Sequence, residues 1–205
     1  MCRAIIFMII HLGKVYRRFY KSSSDILNII KDSILQKDEL NLYFHFPFCK
    51  NKCAFCNLFT ISDVSDSRFK EYFSIIKKEF LFYEQYIANK RVNTIYLGGG
   101  TPSWIPAEYF IDLFQVIESA FDIEISSVEE VSIELSPETT EVVRLQSYYD
   151  AGINRVNIGI QSVDGDELSC SGRSHKNYET HTALKNLMDI GFKNVCIDLI
   201  YGLEG

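Results

Sequence analysis

The sequence has no hydrophobic run long enough to cross a membrane. The apolar run at residues 4–12 is far shorter than the roughly 20 residues that a transmembrane helix needs. It also lacks the flanks of a signal peptide, because Met1-Cys2-Arg3 is a poor charged leader and no small-residue cleavage site follows. We therefore expect no membrane span and interpret the run as a packed N-terminal element.

The sequence also lacks an excess of basic residues and a disulfide framework. Lys and Arg number 21 against 27 Asp and Glu, so the net charge of −6 argues against a nucleic-acid partner. Three of the six cysteines share one motif, while Cys2, Cys170 and Cys196 lie apart. This distribution is not that of a small secreted disulfide protein, so we expect a reducing compartment, the cytoplasm. We interpret Cys170 and Cys196 as packing residues.

Apolar residues are abundant, and their periodicity indicates an α/β protein. Hydrophobic residues make up 47% of the chain, which is enough for a packed core. Residues 1–39 are interpreted as a preamble to a core at residues 40–205. Two glycines, Gly152 and Gly191, each end a helix before a strand that we expect to be buried. The predicted strands are 40–46, 92–97, 128–135, 156–158 and 195–200, and the predicted helices include 66–90, 107–121 and 136–150.

Strands that alternate with helices predict a parallel sheet or barrel, in which functional groups gather at the carboxyl ends of the strands. Three polar side chains fall at such ends: Glu134, Gln161 and Asp198. Glu134 lies between apolar neighbours and is expected to face the barrel interior. Asp198 lies in an apolar run, where a carboxylate is costly unless it is paired. His175 and His181 are predicted to lie on the surface.

Three of the six cysteines lie close together in the sequence. Cys49, Cys53 and Cys56 have the spacing C-x3-C-x2-C on the loop after the first predicted core strand. Thiolates this close bind a soft metal or an iron–sulfur cluster. With three ligands, one iron of a 4Fe–4S cluster stays open for chemistry. Two alternatives remain: a zinc site with His45 as fourth ligand, and a chance group of cysteines packed as small hydrophobic residues.

Five motifs occur in order and together resemble the radical S-adenosylmethionine (SAM) superfamily over about residues 40–205. More narrowly, the chain resembles the oxygen-independent coproporphyrinogen III oxidase-like family, which includes heme-chaperone-like relatives. The motifs are Tyr43-x-His45-x-Pro47-Phe48-Cys49-x-x-x-Cys53-x-Phe55-Cys56, Gly98-Gly99-Gly100-Thr101-Pro102-Ser103, Gly152-x-Asn154-Arg155-x-x-x-Gly159-x-Gln161-Ser162, Gly172-Arg173 and Ile197-Asp198-Leu199-Ile200-Tyr201-Gly202-Leu203. The resemblance implies a partial (β/α)6 barrel with about five parallel strands.

The resemblance implies a 4Fe–4S cluster and SAM as cofactors. Cys49, Cys53 and Cys56 would ligate three irons, and the amino and carboxylate groups of SAM would bind the fourth. Arg173 would neutralise the SAM carboxylate. The complete set of SAM-binding or cluster-bordering residues that the resemblance implies is Tyr43, Phe55, Gly99, Gly100, Thr101, Glu134, Gln161, Arg173 and Asp198.

The implied function is reductive cleavage of SAM to a 5′-deoxyadenosyl radical that attacks a small organic substrate, possibly a porphyrinogen, in porphyrin or heme metabolism. A flavodoxin or ferredoxin would supply the electron. The oxidases usually carry one more cysteine at the position of Leu58, so decarboxylation of a porphyrinogen is in doubt. The alternatives are a non-catalytic heme chaperone on the same scaffold and a zinc-stabilised binding module. The resemblance also predicts truncation before a sixth strand and a C-terminal domain.

Overall fold

A single parallel sheet organises the chain. The computed structural model describes residues 4–8, 28, 32, 35–62, 64–87 and 90–203. Its six strands lie side by side in sequence order, and every neighbouring pair is parallel. The strands are β1 (Ala4–Met8), β2 (Glu39–Phe46), β3 (Arg91–Gly99), β4 (Glu130–Leu135), β5 (Arg155–Gln161) and β6 (Asn194–Leu199).

Sequential parallel strands joined by helices are the arrangement of a partial β/α barrel. The five strands predicted within residues 40–205 are confirmed as β2 to β6. A further strand, β1, comes from the preamble and pairs with β2, whereas most of the remaining preamble lies outside the described residues. The α-helices are α1 (Asp66–Ile87), α2 (Ala107–Phe121), α3 (Val142–Asp150), α4 (Gly165–Cys170) and α5 (Asn177–Ile190). No helix in the described ranges is long and apolar enough to span a membrane.

The two faces of the sheet differ in polarity. Along β2, alternate residues are buried against the helices, as for Phe46, whose ring centroid lies 5.3 Å from those of Phe73 and Phe110. Each buried aromatic side chain of this kind contributes about 1.5–3 kcal/mol relative to exposure. The opposite face carries half-buried polar side chains, including Tyr43 and Asn157. The inner surface of the partial barrel is therefore polar and can receive a polar ligand.

Several local predictions are wrong. The helix predicted from residue 136 to 150 is broken: Pro137–Thr139 form a 3-10 turn, Glu141 is extended, and α3 begins only at Val142. The Thr139 hydroxyl bonds the carbonyl of Ser136, which satisfies the turn locally and lets the chain leave the helix path.

Gly191, the second of the two helix-ending glycines, does not lead to the buried strand that was expected. β6 is half-buried to exposed, and Ile197 and Leu199 retain 44% and 66% of their accessible surface. Within the described chain β6 is an edge strand, because it pairs only with β5. Cys170 is exposed rather than packed. His175, predicted at the surface, is 3% exposed.

Candidate cofactor site

The three cysteines lie on a loop whose two ends are tied together. The Cys49 N–H donates to the carbonyl of Ile61 at 3.1 Å, and the Ile61 N–H donates to the carbonyl of Pro47 at 2.7 Å. Within the loop, the Cys56 N–H donates to the carbonyl of Cys53 at 3.1 Å. All three thiols are free and half-buried. The loop therefore presents three thiols from one short, closed segment.

The geometry opposes the zinc alternative. The His45 Nδ1 lies 3.1 Å from the Tyr43 hydroxyl, and the His45 ring packs against Gly99 rather than joining the thiols. Within the described ranges, no group of three His, Cys, Asp or Glu side chains converges tightly enough to hold a single ion. A 4Fe–4S cluster does not need that convergence, because each cysteine sulfur binds a different iron.

The glycine turn after β3 is fixed to the cysteine loop. The Gly100 N–H donates to the carbonyl of Phe46, and the Thr101 N–H donates to that of Phe48, both at 2.8 Å. The Thr101 hydroxyl lies 3.5 Å from the Cys49 sulfur. A Cβ atom at Gly100 would lie 2.8 Å from that sulfur. Glycine is therefore required here by contact with the protein itself, in addition to the approach of SAM that the resemblance implies.

Opposing effects act on the Cys49 thiol. Burial raises the pKa of Cys49, the hydrogen bond from Thr101 lowers it, and the nearby Cys56 and Cys53 raise it further. The positive charge of Arg173 acts in the opposite direction. Arg173 therefore favours the thiolate form of Cys49, but it does not outweigh burial.

Arg173 lies at the edge of the cysteine loop. Two residues before it, the carbonyl of Ser171 accepts a hydrogen bond from the Ala54 N–H at 2.9 Å, which joins the two segments. The Arg173 Nη1 is 3.7 Å from the Cys53 sulfur, and its Nη2 donates to the carbonyl of Gly159 at 2.6 Å. Its Nε is buried without a hydrogen-bond partner in the described chain. Arg173 thus retains donor capacity for an anionic ligand beside the thiols.

Glu134 is the centre of a hydrogen-bond network inside the partial barrel. Its carboxylate accepts from the Gly99 N–H at 2.8 Å and from the Tyr96 hydroxyl at 2.9 Å. Burial raises the pKa of Glu134, the two hydrogen bonds oppose that rise, and the nearby Asp198 charge adds to it. Tyr43 stacks on Tyr96 with ring centroids 5.8 Å apart. Burial, followed by the Glu134 charge, raises the pKa of Tyr43 to about 12.

The remaining predicted residues occupy the same edge with different exposure. Gln161 ends β5 with a φ of 71°, in the left-handed region that non-glycine residues rarely adopt, and its side-chain nitrogen lies over Gly159. Asp198 is level with Gly159 in the sheet, but it is exposed rather than buried in an apolar run. Phe55 lies on the cysteine loop and is 37% exposed.

Sequence reasoning missed four polar side chains that support this site. Asn157 donates to the Tyr96 hydroxyl at 2.7 Å, so both residues extend the Glu134 network. Ser136 accepts from Arg173 at 2.8 Å and also donates to Glu138. Tyr96 and Asn157 could have been found from the sequence, because each alternates with buried residues along its strand. That alternation places both side chains on the same face of the sheet as Glu134.

Comparison with known proteins finds relatives in sequence and in fold. The profile of the Radical SAM superfamily matches residues 43–205. The heme chaperone HemW of Haemophilus influenzae is 32% identical over 168 residues, which cover 80% of this chain and 43% of that protein. The oxygen-independent coproporphyrinogen III oxidase of Helicobacter pylori is 30% identical over 173 residues, which cover 84% of this chain and 38% of that protein.

Among solved structures, coproporphyrinogen III oxidase (HemN) from Escherichia coli, described as a radical SAM enzyme, aligns with a TM-score of 0.75 and 27% identity. The alignment covers 84% of this chain and 41% of that one. The archaeal Elp3 of Methanocaldococcus infernus aligns with a TM-score of 0.52 and 17% identity, which is a likeness of fold alone. The chain spans about two fifths of the length of these relatives.

Proposed function

We propose that this chain, which belongs to the radical SAM superfamily, uses the cysteine loop and the polar barrel edge to bind its cofactors and cleave SAM. The cofactors of the family are a 4Fe–4S cluster and SAM. The residues present fit them. Three free thiols share one loop, and an arginine with unpartnered donor capacity lies beside Cys53. That juxtaposition is the observation that carries the proposal.

Each proposed residue has a defined task. Cys49, Cys53 and Cys56 would hold the cluster, and Arg173 would bind the carboxylate of SAM through a charge-assisted hydrogen bond. Glu134 and Gln161 would orient the amino or ribose groups from neighbouring strand ends. A bound and reduced cluster would supply the electron for reductive cleavage of SAM to methionine and a 5′-deoxyadenosyl radical. The protein contributes binding, orientation and electrostatics.

The remaining cofactor residues are proposed for the same site. Gly99, Gly100 and Thr101 would approach the methionine part of SAM, while Tyr43, Phe55 and Asp198 would border the cluster, adenine or ribose. The substrate is proposed to be a small organic molecule of porphyrinogen or heme type, with a flavodoxin or ferredoxin as electron donor. Residues 40–205 are proposed as the cofactor-binding core, with residues 1–39 as a preamble.

A cluster and turnover assay tests this function. After anaerobic reconstitution we expect close to four irons and four sulfides per chain, and 5′-deoxyadenosine when SAM and a reductant are added. Cys53→Ala should abolish cluster loading. Cys170→Ala is the matched control, because Cys170 is a free, exposed cysteine outside the loop, and it should load normally. Full loading of the Cys53→Ala protein would contradict the proposal.

A heme-carrying role is the second candidate, and two observations favour it. The heme chaperone from Haemophilus influenzae is as similar to this chain as the oxidase from Helicobacter pylori. Leu58 also occupies the position where the oxidases usually carry a further cysteine, and it is 47% exposed. Titration with heme, followed by absorbance, separates the roles: stoichiometric heme binding without formation of 5′-deoxyadenosine would support the chaperone.

A further inference from the structure

The Arg173 guanidinium is anchored through one nitrogen, and its other two nitrogens keep unused N–H donors. Its Nη2 donates to the Ser136 hydroxyl at 2.8 Å and to the carbonyl of Gly159 at 2.6 Å. Its Nη1 has only the Cys53 sulfur, at 3.7 Å, and its buried Nε has no hydrogen-bond partner within the described ranges. The anchored Nη2 is bonded to Ser136, directly after β4, and to Gly159, within β5. The donors of Nη1 and Nε that have no oxygen acceptor in the described ranges are the ones that a ligand could use.

The Ser136 hydroxyl can accept from Arg173 because its own proton is committed elsewhere. It donates to the carboxylate of Glu138, which also accepts from the Ser174 hydroxyl at 3.1 Å. A hydroxyl has one proton and two lone pairs, so donation to Glu138 orients its lone pairs for the guanidinium. Ser136 is 2% exposed, so this orientation is shielded from water.

Glu138 is held as a carboxylate behind the serine. Burial alone would raise the pKa of Glu138, but hydrogen bonds from Ser136 and its own backbone, with the charge of Arg173, bring it below the usual value. His175 packs beside it, 3% exposed, with its Nδ1 3.9 Å from the carboxylate. Burial lowers the pKa of His175, which favours a neutral ring. The Glu138 charge is therefore available to polarise the Ser136 hydroxyl.

We propose that Ser136 and Glu138 are positioning residues that hold the Arg173 guanidinium so that its unused donors face the ligand beside the cysteine loop. The inference rests on the proposed function in one respect: the ligand is the carboxylate of SAM. Arginine has several rotatable bonds, and fixing it before binding lowers the entropy that the ligand must otherwise offset. The serine also separates Glu138 from the site, so that the carboxylates of Glu138 and SAM do not compete for the same edge of the guanidinium.

The affinity test compares five variants by calorimetry on anaerobically reconstituted protein: Glu138→Ala, Ser136→Ala, Arg173→Ala, Arg173→Ala with Glu138→Ala, and Glu141→Ala. Glu138→Ala and Ser136→Ala should each weaken SAM binding about three- to tenfold with unchanged iron content, since each loosens one hydrogen bond to a charged group. Adding Glu138→Ala to Arg173→Ala should cause no further loss of SAM affinity, because both substitutions act through the Arg173 side chain. Glu141→Ala is the control: Glu141 is exposed and pairs with Arg144 instead. If Glu138→Ala weakens SAM binding equally in the unmodified protein and in the Arg173→Ala protein, the proposal is wrong.

A second measurement needs no SAM. In ¹⁵N-labelled apoprotein, NMR of the arginine side chains reports how freely the Arg173 guanidinium moves. Both Glu138→Ala and Ser136→Ala should increase that motion, whereas Glu141→Ala should not. Ser136 also caps the 3-10 turn, so Ser136→Ala could fail to fold. In that case the measurement on Glu138→Ala decides whether the proposal holds. If the unmodified protein binds no SAM but Glu138→Ala frees Arg173, the positioning role stands and the proposed function falls. If Glu138→Ala changes neither affinity nor motion, the positioning role is wrong.

Discussion

Replacing Gly100 by alanine is expected to disturb the cysteine loop directly. The added Cβ would lie 2.7 Å from the carbonyl oxygen of Phe48, 2.8 Å from the Cys49 sulfur and 2.9 Å from the carbonyl carbon of Pro47. Two of these neighbours are backbone atoms, so they cannot rotate away as a flexible side chain would. Real Cβ atoms essentially never approach other atoms closer than 3.0 Å, so the two loops must separate.

The size of the destabilisation follows from the hydrogen bonds that this separation would strain. The Gly100 and Thr101 N–H groups bond the carbonyls of Phe46 and Phe48 at 2.8 Å, so the turn cannot retreat without stretching both bonds. Overpacking of this kind typically costs about 1–3 kcal/mol. For a chain of this size, such a loss lowers the melting temperature by about 2–4 °C per kcal/mol. Because the Cys49 sulfur is among the displaced atoms, cluster loading should fall as well.

The assay measures the free energy of unfolding in urea and the iron content after reconstitution. Gly165→Ala is the matched control, because a Cβ at Gly165 meets nothing within 4 Å. That substitution should be neutral or stabilise the protein by up to about 1 kcal/mol, through the loss of chain entropy in the unfolded state. A Gly100→Ala protein as stable and as rich in iron as the unmodified protein would refute the close packing of the two loops.

Two further predictions concern the charged residues of the site. Arg173→Ala should weaken SAM binding by about 1.5–3 kcal/mol, or roughly ten- to a hundredfold, while leaving the iron content intact; unchanged affinity in calorimetry would exclude Arg173 from the site. The stability of Glu134→Gln relative to the unmodified protein should increase as the pH rises above the ordinary Glu range, because burial raises the folded-state pKa of Glu134. A group with a raised pKa favours folding at low pH and loses that contribution as the pH rises through its folded value. Urea unfolding of both proteins at several pH values tests the sign, and a stabilisation that grows toward acid pH would contradict it.

The regular elements could be predicted because their signals are local. The apolar stripe of α1, with Phe69, Phe73 and Phe80, is buried as its spacing requires, and α2 has the predicted bounds 107–121. The break before α3 was missed because Ser136 followed by Pro137 is equally suited to start an α-helix or a 3-10 turn. The exposure of β6 was missed because an apolar run does not indicate which neighbours will cover it.

The site was only partly predictable because its contacts span the chain. The cysteine motif is visible in a few residues, whereas the hydrogen bond from Asn157 to Tyr96 joins positions 61 residues apart. The Arg173 contact with Cys53 joins positions 120 residues apart. His175 was assigned to the surface because it precedes α5 among polar residues. Its burial depends on packing beside Glu138, which no local pattern reports.

The cysteine loop depends on the barrel rather than on its own packing. Residues 50–52 and 57–59 are exposed, so the loop has little buried apolar surface of its own. Its position is set by bonds to three other segments: Ile61 at its base, Gly100 and Thr101 after β3, and Ser171 before Arg173. The thiols therefore reach their places only when distant strands have assembled, and a cluster that binds them stabilises that assembly in return. Cluster binding and assembly of this edge of the barrel would therefore be linked equilibria.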